Sequence, residues 1–316
     1  MLEISKKLLK RFWFIPIVVV LASLLAWAIC LSLTGYTWPA WTGWSDYTGS
    51  LAKDQRGKTL WDWMELLVIP AVLGVGALLF NWSERKNERK IAEERNKHDQ
   101  EIAADRMRET ALQTYIDRMT ELLLEKDLRK SKPEDEVRDV ARTRTLTTLR
   151  ILDPVRKGLL VRFLSEADLI KNDKPVIDLS GADLNNIRLS GADLKEVNLS
   201  QAFMTKANLD ETRLSMSNLS GAQLIGAHLY FDRLDKADLS RANLSEADLG
   251  RADLHGADLS GAYLIDADLR EAFLGEANLA GAVLIRANLS GADLEGANLD
   301  KTEFHRTIMP DGTVHE

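Results

Sequence analysis

Three patterns of hydrophobic and polar positions follow one another along the chain. Two long apolar runs lie near its start, and a stretch rich in Glu, Lys, Arg and Ala extends from Ser83 to about Arg129. From Leu179 onward an apolar residue recurs at every fifth position. These patterns belong to different structural classes, so one uniform globular domain is excluded. The sequence predicts a mixed architecture of several units.

The first apolar run, residues 12–33, contains no charged side chain. At about 1.5 Å of rise per residue, a helix of this length crosses the roughly 30 Å hydrocarbon layer of a bilayer. A cleaved signal peptide is the alternative, because Lys6, Lys7, Lys10 and Arg11 precede the run. The run is longer than a usual signal core and no A-x-A site follows it. A transmembrane helix is therefore predicted.

The second apolar run, residues 66–82, becomes a full span if the helix begins near residue 62. Pro70, Gly74 and Gly76 leave a re-entrant or buried hairpin open as an alternative, because they weaken an isolated helix. Basic residues flank the pair of spans at both outer ends. The positive-inside bias then predicts a membrane hairpin over residues 1–82 in the plasma (inner) membrane. Its partner is the lipid bilayer, and both termini face the cytoplasm.

Residues 83–130 lack Gly and Pro and predict one long polar to amphipathic helix, a stalk. Its later part has an apolar seam with two interpretations: packing on the following helices of the same chain, or self-association into a homo-oligomer. The seam consists of Leu112, Ile116, Met119 and Leu123. Residues 131–172 predict two short helices, separated near Asp153-Pro154, that form a cap over the first coil of the repeats.

The repeat is strict. From Leu179 to Phe304 there are 26 central positions, all Leu except Met204 and Phe304, and Ala stands two residues before the centre in 19 of them. Triplets such as Ala242-Asn243-Leu244 show the unit A(D/N)LXX, which resembles the motif of the pentapeptide repeat proteins. The resemblance covers about the last 45% of the chain, as expected of a solenoid array.

This resemblance implies a right-handed quadrilateral β-helix over residues 173–309, with four pentapeptides per coil and residues 20 apart in stacked positions. Residues 310–316 are expected to form a closing turn and tail. When residues 20 positions apart are stacked, six apolar residues fall on one face and form a candidate partner surface: Phe203, Ile225, Tyr263, Ile265, Val283 and Ile285. A ladder of β-compatible side chains, or coverage by the chain's own helices, is the alternative interpretation.

Asp232 is the irregular residue of the array, because it occupies an inward position where most repeats have Ala. An unpaired inward carboxylate is costly, so a bulge or a local hydrogen-bond partner is expected there. A catalytic role is disfavoured, since no base, nucleophile or metal-ligand spacing accompanies Asp232. The chain has a single Cys, and no cofactor or metal motif is recognised.

The net charge of the repeat array bears on the hypotheses about function. Residues 175–304 hold 21 Asp or Glu and 11 Lys or Arg, a net charge of -10, whereas the whole chain has -7. The predicted function is a non-enzymatic, membrane-anchored scaffold that presents a rigid surface to an unidentified protein partner. Direct nucleic-acid binding is disfavoured by this charge. The family resemblance implies a DNA mimic that binds gyrase or another topoisomerase as one alternative. The other is a membrane effector whose oligomerisation alters permeability.

Overall fold

The computed structural model describes residues 60–171 and 175–316, with side chains described from Pro70. The chain divides into two compact units, residues 1–97 and 98–316. In the first unit the described backbone is helical from Leu60 onward. The second unit contains the other helices and the repeat array.

The membrane prediction is not upheld. Residues 12–33 lie outside the described residues, and none of the described helices combines the length and apolar character that crossing a bilayer requires. The predicted two-span placement in the plasma membrane is therefore wrong. The described part of the first unit is a helix from Leu60 onward, and the lipid bilayer is not shown as a partner.

Helix α1 covers Leu60–Leu124. It ends earlier than the predicted stalk because Asp127 adopts a left-handed backbone with φ 49°, after which Leu128–Lys130 form a 3-10 turn. Within the second unit the apolar seam of α1 faces its own chain, since Met119 is only 1% exposed. The buried Tyr115 hydroxyl lies 2.8 Å from the Thr145 hydroxyl. This hydrogen bond holds α1 in register with the next helix, which contains Thr145.

Helices α2, Glu136–Ile151, and α3, Pro154–Glu166, are separated by Leu152 and Asp153. Leu152 has an extended backbone, and the Asp153 carboxylate caps α3 by accepting the backbone N–H of Val155 at 3.0 Å. Pro154 suits the first helical position, where no N–H donor is needed. The Arg156 guanidinium then ties α3 to α1, because it donates to Asp105 at 2.7 Å as well as to Asp153 at 2.6 Å.

The repeats form a β-helix with four pentapeptides in each coil. Parallel bridges join each outward residue to its counterpart one coil later, as from Asp183 to Phe203, along four separate ladders. We name the four faces by their ladders: face A from Asp183, face B from Arg188, face C from Asp193 and face D from Asn198. The central residues from Leu179 to Leu289 are at most 1% exposed, so the stacked Leu side chains form the core. This stacked, four-sided solenoid is what the motif predicted.

The Asp or Asn of each motif shapes the turn that follows it. In typical repeats its side-chain oxygen accepts the backbone N–H two residues later, as from Ser240 to Asp238 at 3.0 Å and from Ser290 to Asn288 at 3.0 Å. Such local bonds are the known preference of Asp and Asn in turns. The residue three positions after each Asp or Asn then has a positive φ and turns the corner, as in Gly181 with φ 67° and Glu196 with φ 58°.

Helix α3 lies directly on the first coil. Gly158 is required there, because a Cβ atom at this position would lie 2.1 Å from the Arg188 carbonyl oxygen. The Lys157 ammonium pairs with Asp183 at 3.2 Å, and the α2 residue Arg142 donates to the carbonyl oxygen of Ser180 at 3.0 Å. These donors satisfy acceptors at the open edge of the solenoid, which would otherwise be available for pairing with another chain.

The last coil is followed by a short antiparallel hairpin of β1, Thr307–Ile308, and β2, Val314–His315. A turn joins the two strands, with Gly312 at φ 83° and its N–H donating to the Met309 carbonyl oxygen at 2.9 Å. The hairpin places the His315 ring 5.3 Å from the Phe304 ring.

Candidate interaction surfaces

The six residues of the predicted partner surface fall into two groups on face A. Phe203 is 50% exposed, but the face A ladder runs from it through Gln223 and Asn243 before it reaches Tyr263. At about 4.8 Å per coil, three coils separate the two aromatic rings by about 14 Å. Phe203 with Ile225 therefore forms one group, and the remaining four residues form the other.

The second group is compact, and we call it the face A patch: Tyr263, Ile265, Val283 and Ile285. Tyr263 and Val283 are direct ladder partners on adjacent coils, and Tyr263 is 49% exposed. Ile265 and Ile285, two residues further along each coil, are half-buried. Side chains in neighbouring register positions contact each other, so these four present one continuous apolar surface.

Face D, next to face A, has a different role. Its Asp and Asn side chains bond to one another between coils, as from the Asn198 amide to Asp178 at 2.8 Å and from Asn278 to Asp258 at 3.0 Å. Asn298 continues the same ladder by donating to Asn278 at 3.1 Å. These side chains stabilise the stacking of the coils, which accounts for their regular spacing.

A second apolar cluster lies on face C and at the corner before it, and sequence reasoning missed it. Its most exposed members are Tyr230, Phe231 and Phe273. These residues occupy different positions of the pentapeptide, so comparing residues at one position of the repeat at a time does not group them. Folding the corner positions as well as the ladder positions by whole coils would have placed Phe231 beside Arg251, with Phe273 on the next coil after Arg251.

The aromatic corner of this cluster has a defined geometry. The rings of Tyr230 and Phe231 meet edge to face, with centroids 4.8 Å apart, and the Arg251 guanidinium lies 5.5 Å from the Phe231 ring. Gly250 makes room for the Tyr230 ring, because a Cβ atom there would lie 3.0 Å from it. Gly275 accommodates the His255 ring in the same way, at 3.0 Å.

Asp232 lies beneath this corner and points into the solenoid with 1% exposure. Its Oδ1 accepts the backbone N–H of Thr212 at 2.7 Å, while Oδ2 is buried without a hydrogen-bond partner. The coil remains regular here, since the ladder continues from Arg213 through Arg233 to Asp253. Burial raises the pKa of Asp232 to about 9, so the side chain is a neutral carboxylic acid at pH 7.

Metal chemistry has no site in the described part of the chain. Within residues 60–171 and 175–316, no three His, Cys, Asp or Glu side chains are grouped so that they could hold a metal ion. The neutral Asp232 is buried and unable to reach a substrate at the surface.

Comparison with known proteins identifies the repeat array. The family model for pentapeptide repeats matches in eight copies, over residues 177–210, 204–231, 237–275, 262–300 and 277–309. No curated protein matches the chain.

Solved structures of pentapeptide repeat proteins are similar to part of the chain. HetL from the cyanobacterium Nostoc, a protein involved in heterocyst differentiation regulation, is 31% identical over 44% of this chain and 85% of its own, with a TM-score of 0.16. Rfr23 from the cyanobacterium Cyanothece is 30% identical over 39% of this chain and 90% of its own, with a TM-score of 0.18. QnrB1, a plasmid-mediated fluoroquinolone resistance protein, is 21% identical over 40% of this chain and 77% of its own, with a TM-score of 0.22.

Proposed function

We propose that this chain, which belongs to the pentapeptide repeat family, is a non-enzymatic scaffold that binds a protein partner on the surface of its β-helix. The observation that supports this function most is the face A patch, where Tyr263 and Val283 stand on adjacent coils beside half-buried Ile265 and Ile285. Contiguous exposed apolar residues on a protein surface are typical of protein-binding sites.

The rigidity of the rod favours a binding role. Each coil is hydrogen-bonded to the next, as between Leu264 N–H and the Val283 carbonyl at 2.8 Å, and the interior Leu side chains are fully buried. A surface held this firmly loses little conformational entropy when a partner binds, and affinity benefits from such preorganisation.

Site-specific photo-cross-linking tests the proposal. A photoreactive amino acid placed at position 281, an exposed corner beside the patch, should give a defined cross-linked species in cells. Replacing Tyr263→Ser together with Val283→Ser should abolish that species, because the apolar contact is removed while the interior Leu ladder stays intact. The matched control is Met216→Ser, at the corner after face C, together with Phe273→Ser on face C, which should leave the species unchanged. Equal cross-linking in both double variants would contradict the face A assignment.

A DNA mimic is the second candidate, and the net charge of -10 over residues 175–304 favours it. Faces B and D stack carboxylates on adjacent coils, as at Asp248 with Asp268 and Asp238 with Asp258. A supercoiling assay with DNA gyrase and the full chain distinguishes the candidates. Inhibition that is relieved by Asp238→Asn and Asp258→Asn would favour mimicry, whereas no inhibition at micromolar protein is the result we expect for a scaffold.

A further inference from the structure

We propose that face A binds an amphipathic helix of a partner protein, which lies along the rod and has acidic residues beside its apolar stripe. This inference rests on the function proposed above, because it names the kind of partner that the face A patch receives. It adds the separate apolar group of the same face, Phe203 with Ile225, as a second point of contact.

The two apolar groups of face A define a long and narrow contact surface. Phe203 and Val283 lie four coils apart on one ladder, which corresponds to about 19 Å at about 4.8 Å per coil. A helix rises by about 1.5 Å per residue, so about 13 residues cover this length. At about 3.3 Å per residue across the rod, the face is roughly 10 Å wide between its corners. One helix with its side chains has a diameter of about 10–12 Å and fits this width.

A helix suits face A better than an extended segment does, because the backbone of the face is already hydrogen-bonded. The Tyr263 N–H donates to the Ala242 carbonyl oxygen at 2.9 Å, and the Tyr263 carbonyl oxygen accepts the Leu244 N–H at 2.7 Å. A strand laid on face A would therefore find no ladder partner. Its own N–H and C=O groups would lose water beside apolar side chains, whereas a helix satisfies these groups internally.

The polar residues between the two apolar groups are engaged within the face. The Asn243 side-chain oxygen accepts the backbone N–H of Ser245 at 3.2 Å and the Ser245 hydroxyl at 2.8 Å. The Gln223 amide donates to the Gly221 carbonyl oxygen at 3.4 Å. The complementary helix therefore has small residues in its middle and apolar side chains where it meets the two groups.

Face A differs in charge from the rest of the rod. Within residues 175–304, this face and the corners on either side of it hold equal numbers of basic and acidic residues, whereas the array as a whole has a net charge of -10. These residues are Lys206, Arg241, Arg286 and Lys301 against Asp183, Glu246, Asp266 and Glu303. The net negative charge therefore belongs to the other three faces and the corners between them.

Two cations stand on opposite borders of face A, and each leans over a glycine of the next coil. The Cγ atom of Lys206 lies 3.7 Å from the place that a Cβ atom would take at Gly226, and the Cγ atom of Arg241 lies 3.7 Å from that place at Gly261. No opposite charge is stacked on either cation at these positions. Gly226 is next in sequence to Ile225, and Gly261 belongs to a coil of the face A patch. Each cation therefore borders one of the two apolar groups.

These two cations are available to a partner. The ion pairs within residues 60–171 and 175–316 include neither Lys206 nor Arg241. Glu246, between the two groups, is also outside those ion pairs, while the other nearby carboxylates are paired, Asp183 with Lys157 and Asp266 with Arg286. Two cations against one carboxylate leave this surface positive. The complementary helix therefore has more acidic than basic residues beside its apolar stripe, where charges set orientation and specificity.

Fluorescence anisotropy with the purified full-length chain tests this inference. The probe is a fluorescein-labelled eighteen-residue peptide of Ala and Gln, with a Leu cluster near each end on one helical face and Glu beside each cluster. One comparison probe has two central prolines, which break the helix. The other has Lys in place of Glu.

Two test variants each have a matched control. Phe203→Ser removes the apolar group that lies away from the face A patch, and Phe273→Ser removes a ring of similar exposure on face C. Lys206→Glu with Arg241→Glu reverses the two cations. Arg213→Glu with Lys236→Glu makes the same change of net charge at exposed positions on or beside face C.

We expect the helical Glu probe to bind the wild-type chain at least about tenfold more tightly than the proline probe. The Lys probe should bind at least about threefold more weakly than the Glu probe, as should the Glu probe to the variant with reversed cations. Phe203→Ser should weaken binding about fivefold or more, as for an aromatic contact residue. Both controls should bind the Glu probe as the wild-type chain does.

The inference is overturned if the Glu probe does not bind, if the proline or Lys probe binds as tightly, or if either test variant binds like its control. It is also overturned if the wild-type chain is a dimer in sedimentation velocity and Tyr263→Ser with Val283→Ser makes it monomeric, because the occupant is then a second copy.

The photo-cross-linked species described above separates this inference from the scaffold function. If that species is lost in Tyr263→Ser with Val283→Ser while the Glu probe fails to bind, the scaffold function stands and only the helix is wrong. If the species persists in that double variant, the scaffold function on face A is itself contradicted.

Discussion

Replacing Gly158→Ala should detach α3 from the first coil of the solenoid. The new Cβ atom would lie 2.1 Å from the Arg188 carbonyl oxygen, and this oxygen belongs to backbone that cannot rotate away. The Arg188 N–H is itself bonded to the Pro154 carbonyl at 3.2 Å, so helix and coil are held at this spacing from both sides. Overpacking of a fixed contact costs about 1–3 kcal/mol and sometimes more, and we expect the upper part of that range.

Hydrogen exchange of backbone amides measures whether α3 still covers the first coil. Backbone amides of the first coil, residues 177–190, should lose protection in Gly158→Ala, while those of the central coils, residues 220–290, keep theirs. The control is Gly74→Ala in α1, where a Cβ atom would meet nothing within 4 Å. Alanine at that helical position should be neutral or stabilising by about 0.5–1 kcal/mol. Unchanged protection of residues 177–190 in Gly158→Ala would show that the helix does not depend on this contact.

Replacing Asp232→Ala should stabilise the β-helix, and the gain should grow with pH. Removing the carboxyl group eliminates a buried oxygen that lacks a partner, a defect worth about 1–3 kcal/mol. The Thr212 N–H loses one acceptor but keeps the Leu209 carbonyl at 2.9 Å. Alanine is the residue at the stacked positions 252 and 272, so the solenoid accommodates it without rearrangement.

The pH dependence follows from the raised pKa of Asp232. The unfolded chain releases this proton near pH 3.8, whereas the folded chain holds it until about pH 9. Between these values the folded state binds more protons than the unfolded state, so the contribution of Asp232 to stability falls as pH rises and becomes level above about pH 9. Asp232→Ala removes that slope.

Thermal unfolding at pH 5, 7 and 9 gives the measurement. The difference in Tm between Asp232→Ala and the wild-type chain should be positive and should widen from pH 5 to pH 9. Asp300→Ala, which removes an exposed carboxylate, should show no such widening. A Tm difference that is constant with pH, or a less stable variant, would mean that the Asp232 carboxyl is ionised and has a stabilising partner.

The face A patch shows how far the sequence could reveal a surface of this chain. Tyr263 and Val283 occupy the same position of the pentapeptide, so folding the sequence by one coil brings them together without a structure. The same operation also grouped Phe203 with them, because it ignored the polar ladder residues Gln223 and Asn243 that lie between. Whether two residues of one face belong to the same surface depends on the distance between them along the rod. The period of the sequence does not give that distance.

The long helix α1 shows what the local composition of the sequence could not decide. Hydropathy predicted a membrane hairpin over residues 1–82, but no described helix is long and apolar enough to span a bilayer. The apolar seam of α1 left two interpretations open, and burial of Met119 against its own chain decided between them. A seam fixes which face of a helix is apolar, while the partner of that face depends on contacts between distant parts of the chain.

The sequence by itself determined the repeat, and its resemblance to the pentapeptide repeat proteins implied the solenoid, because a five-residue period of Leu with small Ala suits a narrow stacked coil. It also marked Asp232 as irregular, since a carboxyl group stands where the interior admits Ala. Only the tertiary structure decided that Oδ2 of Asp232 is unpaired and that Gly158 contacts Arg188. Interior positions are dictated by the repeat because every coil must fill the same small cross-section. Surface groups obey no such constraint, so their pairing depends on distances that only the folded rod defines.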